Sequence, residues 1–132
     1  AIADGTIDCI ATDHAPHAPR DKNVLFEYAA NGVVGLETNW SVGLGLVEEG
    51  VVTLPKLVEI MSVNPARIAG IPAGTLKEGS AADFALSDVK AEYVLRGEDL
   101  HSKSRNSPYI GMRLKGRVMG TYVGGDCRWQ AQ

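Results

Sequence analysis

Residues 11–22 read Ala-Thr-Asp-His-Ala-Pro-His-Ala-Pro-Arg-Asp-Lys. Just before them, Ile7, Asp8, Cys9, Ile10 and Ala11 form a short, mostly apolar run, the pattern of a strand covered on both faces. Asp13 follows at once, then His14 and His17 among prolines that can continue neither a helix nor a central strand. A carboxylate and two imidazoles delivered at the C-terminal end of a buried strand suit an α/β active site. Taken alone, Asp13-His14 before a proline turn reads as an Asx-type turn with a solvated imidazole. The whole twelve-residue run behind an apolar strand favours the functional reading.

Composition sets broad limits. Hydrophobic residues make up 45% and charged residues 22% of 132 residues, close to ordinary globular averages. No apolar run approaches the roughly 18 residues that a membrane span requires, and no charged-then-apolar leader opens the chain. The formal net charge of −3 gives no general reason to expect nucleic acid. Cys9 and Cys127 have neither metal-site nor redox spacing, so Cys9 reads as a small buried core residue. These features point to the cytoplasm.

Two unlike parts follow along the chain. Around Thr38, Leu36, Trp40, Leu44 and Val47 recur at helical spacing, and Gly50 ends the pattern. Thr53 is placed to cap a second helix, with Pro55 in its first turn. Leu54, Leu57, Val58 and Met61 then fall on one apolar stripe. Asn64 reads as the cap of a third, short helix that has Pro65 at its first position and Gly70 at its end. The Met and Trp residues of these helices read as core.

Beyond these helices the period changes to two. Residues 82–86 and 91–95 read as short strands parted by a Ser87-Asp88 turn. Residues 113–123 make the strongest strand pattern, followed by a Gly124-Gly125-Asp126 hairpin turn and a last strand through Trp129. Alternation puts Arg113, Lys115 and Arg117 on one face. Five basic residues and no acidic one lie between Leu100 and Gly125, but the two aromatics there, Tyr109 and Tyr122, do not alternate with them as nucleic-acid platforms require. A solvated strand face is the expectation, and His101 reads as a surface side chain.

The run at 11–22 resembles the dihydroorotases. Thr12, Asp13, Ala15, Pro16, His17 and Lys22 occupy, without a gap, the places of that family's signature of Ser or Thr, Asp, Ala, Pro, His and Lys. Allantoinases and hydantoinases keep the Asp-His but usually lack the Ala-Pro-His. Residues 74–83 resemble the family's entry into a small β-sandwich.

The resemblance implies an α/β fold that is the C-terminal portion of a (β/α)8 amidohydrolase barrel, together with the C-terminal strands of a β-sandwich. A complete barrel needs about 200 to 250 residues or more. Residues 1–73 would form the end of the catalytic barrel, with its eighth strand, substrate loop and closing helices. Residues 74–132 would form the sandwich portion. Both strand sets would lack neighbours, and open edges invite aggregation or association, so the missing N-terminal part of the same enzyme is an expected partner.

The implied chemistry is reversible interconversion of N-carbamoyl-L-aspartate and L-dihydroorotate in pyrimidine biosynthesis. Amide hydrolysis needs a hydroxide at neutral pH, and zinc can lower the pKa of bound water to about 7. The resemblance assigns Asp13 as catalytic base and as a metal ligand, and His17 as a contact to the substrate carboxylate. Asn31 and Gly32 fall where backbone groups contact the ring, although relatives often have a hydrophobic residue or proline at the first. His14 and Lys22 receive positioning roles at most.

One or two zinc ions would be held mostly by residues outside this chain, because one carboxylate cannot replace the three protein ligands of a catalytic zinc. The chain alone is therefore expected to be inactive. A homodimer and association with aspartate carbamoyltransferase stay open. Two other readings stand beside this one. A sister cyclic amidohydrolase, such as an allantoinase or hydantoinase, is disfavoured by the Ala-Pro-His. A non-catalytic dihydroorotase-like scaffold for aspartate carbamoyltransferase is disfavoured by the presence of Asp13 and His17.

Overall fold

The computed structural model describes residues 1–131. Its helical half is built on apolar residues at helical spacing. α1 (Pro19–Lys22) is a single turn, and a 3-10 turn spans Phe26–Tyr28. α2 (Asn39–Glu48) ends before Gly50, whose φ of 70° turns the chain. α3 (Leu54–Val58) begins as its cap predicts, with Thr53 Oγ1 accepting from Lys56 N at 3.4 Å. Leu57 and Ile60 are fully buried and join Leu44 and Val52 in one core cluster, on which Leu54 and Met61 also pack. Val58, assigned by its spacing to the same stripe, is 43% exposed.

Asn64 is not a cap. A π turn at Glu59–Val63 joins α3 directly to α4 (Asn64–Ala69), and Asn64 has helical backbone angles within this rod. Pro65 lacks an N–H, and the widened turn before it is where the rod absorbs the missing donor. Gly70, at φ 66°, closes α4 in the left-handed conformation.

The second half is one antiparallel sheet in the order β1 (Phe84–Val94), β2 (Arg113–Val123), β3 (Asp126–Gln130). Residues 82–95 do not form two strands with a turn between them. Asp88 Oδ1 instead accepts from Lys90 N and Ala91 N, and the register slips between Asp88 and Glu92. The turn-forming aspartate thus produces a bulge within one strand, and Val89 packs against the helical core. Gly124 and Gly125, at φ 60° and 86°, make the two-residue hairpin loop, as type I′ geometry requires.

Helix α2 covers part of the sheet. The Cβ that Gly116 lacks would lie 2.0 Å from Leu44 Cδ1, and the buried Ser41 hydroxyl donates to Gly116 O at 2.6 Å. A second cluster, Val34, Leu95 and Leu100 with Tyr93, Tyr109 and Leu114, ties the loop after residue 32 to the sheet. The cationic face of β2 is largely neutralised. Arg113 pairs with Glu92 at 3.0 Å and Lys115 with Glu48, and the Glu48 hydrogen bond and charge hold Lys115 above its ordinary range.

The apolar run at 7–11 joins no sheet of the described residues. Ile7 is 42% exposed and Cys9 only half-buried. Extended backbone becomes a strand only when a neighbour supplies ladder partners, and here the neighbour is the rod. Ile10 N donates to Ile60 O at 3.0 Å, and Asn64 Nδ2 donates to Asp8 O at 2.8 Å.

Candidate active-site loop

Those two hydrogen bonds, with Ile10 packed on the helical core, fix the segment that delivers Asp13. Asp13 is exposed and holds φ at 42°, the one non-glycine residue with positive φ among those described. Left-handed backbone is uncommon outside glycine, though Asp tolerates it better than most. Strain of this kind concentrates at functional positions. His14 follows with its ring turned inward, Nδ1 accepting from Gly35 N at 3.0 Å and Leu36 N at 3.3 Å. That ring nitrogen is therefore unprotonated and engaged in holding the loop against the approach to α2.

The chain then makes an excursion and returns. His17 Nε2 donates to Asn31 O at 2.8 Å, which brings together two residues singled out in the sequence. Lys22 Nζ donates to Ala30 O at 2.6 Å and to Gly32 O at 3.1 Å, so its signature position serves to close the loop. Ala15 N donates to Val33 O at 2.9 Å across the two arms. Gly32, at φ 88°, is required by this closure: a Cβ there would lie 2.6 Å from Ala15 Cβ. The missing side chain of Gly32 is thus used for close approach to Ala15.

His17's donor is committed to Asn31 O, so a ligand carboxylate would have to take Nδ1 of the imidazolium or displace Asn31 O from Nε2. Asn31 and Gly32 are exposed at the return of the loop. His17, Asn31 and Gly32 therefore belong to one hydrogen-bonded loop unit, with Asp13 on the arm that leads into it.

Two groups outside the sequence reading complete it. Asn106 Oδ1 accepts from His17 N at 3.2 Å, and its Nδ2 donates to Ala15 O at 2.9 Å and Gly32 O at 3.3 Å. The buried Ser104 hydroxyl contacts both His17 O and Asn106 Oδ1. Glu37 bridges the same distant segment: its carboxylate accepts from His101 N at 2.8 Å and Ser102 N at 3.0 Å, and pairs with His101 Nδ1 at 2.9 Å. Partial burial pushes the Glu37 carboxyl up, but the His101 and Ser102 donors outweigh it and hold it below its ordinary value of 4.5. The only signal in the sequence was a polar, turn-forming run before Pro108.

A cavity of about 1130 Å³ lies between α2 and the sheet, with Leu36, Glu37, Trp40, Tyr93 and Trp129 in its wall. His14 lines it, whereas Asp13 and His17 do not. Among the described residues no three His, Cys, Asp or Glu side chains are grouped to hold a metal ion, and no helix is long and apolar enough to cross a membrane.

The model of the amidohydrolase family matches residues 1–127. The chain belongs to the amidohydrolase family. This amidohydrolase chain is 58% identical over 125 residues to a protein named dihydroorotase from Anaeromyxobacter dehalogenans, covering 95% of the chain and 29% of that protein. It is 54% identical to a protein of the same name from Geobacter metallireducens, over 95% of the chain and 30% of the relative. It thus spans under a third of the length of the curated relatives it matches. Among solved structures it is similar to the L-hydantoinase (dihydropyrimidinase) of Arthrobacter aurescens, with a TM-score of 0.90 and 32% identity over 98% of this chain and 30% of that one. A dihydropyrimidinase from Brevibacillus agri shares the fold, with a TM-score of 0.89 at 24% identity over 98% of this chain and 30% of that chain.

Proposed function

We propose that this chain is the C-terminal portion of a dihydroorotase that interconverts N-carbamoyl-L-aspartate and L-dihydroorotate. The observation that carries the proposal is the Asp13–His17 loop: a left-handed Asp13 on an anchored segment, with His17 bonded to Asn31 beside Gly32. It occurs in a chain 58% identical to a protein of that name. Residues 1–73 are assigned to the end of the barrel, and residues 74–132 to the strands of a β-sandwich. Large apolar side chains left open, including Leu25 at 71%, Phe26 at 93% and Leu76 at 82% exposure, support cover by further polypeptide of the same enzyme. The cytoplasm follows as the compartment of such an enzyme.

In the hydrolytic direction Asp13 takes the proton of the water that attacks the ring amide carbonyl. The ring C–N bond breaks, and Asp13 returns the proton to the leaving nitrogen. His17 binds the substrate carboxylate, and backbone groups of Asn31 and Gly32 contact the ring. The family implies zinc, but the residues of this chain do not fit one by themselves. Asp13 is a single carboxylate, His14 Nδ1 is engaged by backbone donors, and a catalytic zinc takes three protein ligands. The remaining ligands are assigned outside this chain.

The test is turnover of a substrate panel by the complete enzyme. Dihydroorotate is expected to exceed hydantoin and allantoin in kcat/KM. Asp13→Ala is expected to abolish turnover with the circular dichroism spectrum unchanged, and His17→Ala to raise KM more than it lowers kcat. Preference for hydantoin would reassign the substrate. Near-normal rates for Asp13→Ala would remove it as the base, and turnover by residues 1–132 alone would refute the division of the site.

A further inference from the structure

We infer that Asn106, supported by Ser104, is a positioning residue for substrate binding at His17, an inference that rests on the dihydroorotase reading of that loop. Asn106 sits far along the chain from the Asp13 run, beyond β1. Its amide group meets both arms of the loop: Oδ1 accepts from His17 N, while Nδ2 donates to Ala15 O and to Gly32 O. Its own carbonyl accepts from Val34 N at 3.1 Å. No other common side chain of this length offers an acceptor and two donors in one plane. The residue on which the loop closes thus spans the sheet-side segment and the arms carrying His17 and Gly32.

Ser104 completes the arrangement. Its hydroxyl is buried within reach of both His17 O and Asn106 Oδ1, and its single proton serves one of them at a time; donated to Oδ1, it orients the amide and leaves Nδ2 facing the two carbonyls. His17 is thereby held on its backbone N–H and, through Asn31 O, on its ring. The acceptor and both donors of the Asn106 amide are taken by protein groups. It acts by fixing where the His17 ring and the Gly32 carbonyl stand, so its loss affects substrate binding more than proton transfer at Asp13.

The experiment is steady-state kinetics on the complete enzyme with dihydroorotate, for the parent, Asn106→Ala and the milder Ser104→Ala. All are assayed well below their melting temperatures. Loss of the bonds that Asn106 makes to both arms is expected to raise KM about tenfold with kcat within about threefold of the parent, and Ser104→Ala is expected to raise KM about threefold. Substitutions at a merely structural site would lower the melting temperature and leave KM of the folded enzyme unchanged, and that result overturns the proposal. An equal fall in kcat with KM unchanged overturns it as well. Where Asn106→Ala does not fold, Ser104→Ala decides between these outcomes. A parent enzyme silent on dihydroorotate, by contrast, refutes the dihydroorotase reading itself, and the role of Asn106 in that reaction with it.

Discussion

Replacing Gly32 by Ala tests the closure of the candidate loop at its tightest point. Glycine there holds φ at 88°, and the new Cβ would stand 2.6 Å from Ala15 Cβ. Left-handed backbone costs an L-residue about 1–2 kcal/mol. The clash is with an atom fixed to the opposite backbone, so a shift of the arm is required, at about 1–3 kcal/mol. Reduced freedom of the unfolded chain returns about 0.4–1 kcal/mol. The net penalty is about 2–3 kcal/mol against the closed loop, on the order of 100-fold in its opening equilibrium.

Hydrogen exchange reads this opening directly. The amide of Ala15 donates to Val33 O at 2.9 Å across the two arms, so its exchange rate follows local opening. Gly32→Ala is expected to accelerate it on the order of 100-fold. Adding Ala15→Gly removes the clashing atom and leaves the backbone strain, so the double variant is expected to show a coupling of about 1–2 kcal/mol relative to the two single changes. Exchange at residue 15 within about threefold of the parent in Gly32→Ala would refute the argument, because neither the φ nor the contact would then constrain the loop.

Two further outcomes follow from other parts of the fold. Gly116→Ala places a Cβ 2.0 Å from Leu44 Cδ1 at φ 81°, and the expected loss of about 3 kcal/mol combines backbone strain with overpacking. A denaturant midpoint equal to that of the parent would contradict it. Glu37→Gln removes the charge and one of the two carboxylate oxygens that accept from His101 and Ser102, at a cost of about 1 kcal/mol near neutral pH for this half-exposed group. The Glu37 pKa is lowered in the folded state from its ordinary 4.5, so its contribution is present above 4.5 and fades as pH falls through the lower folded value. Stability curves of parent and variant should converge on acidification. A gap that widened toward low pH would reverse the assigned sign.

Local chemistry carried much of the fold into the sequence. Thr53 reads as a cap because its hydroxyl has one nearby orphan donor to satisfy, and it accepts from Lys56 N. Gly124-Gly125 reads as a hairpin because both positions need positive φ, and both have it. Asn64 and Asp88 show the limit of such signals. Each has a short polar side chain able to bond neighbouring backbone, but the alternatives are close in energy and distant contacts choose between them. Asn64 reads as a helix cap but sits inside the rod, bonded to Asp8 O. Asp88 reads as a turn residue but makes a bulge that sends Val89 to the core.

The candidate site divides in the same way. Residues 11–22 carried the family resemblance, because side-chain chemistry and short-range spacing are written into consecutive residues, and the resemblance in turn implied the roles of Asp13, His17, Asn31 and Gly32. Only the tertiary structure decided what holds them. It placed Asp13 on a segment braced by Ile60 and Asn64 rather than by a sheet. It gave Gly32 its contact with Ala15, and it brought Ser104 and Asn106 to His17 from the far side of β1. Those bonds join residues many tens of positions apart, and no local pattern encodes which distant backbone donor or acceptor a Ser or Asn side chain will meet.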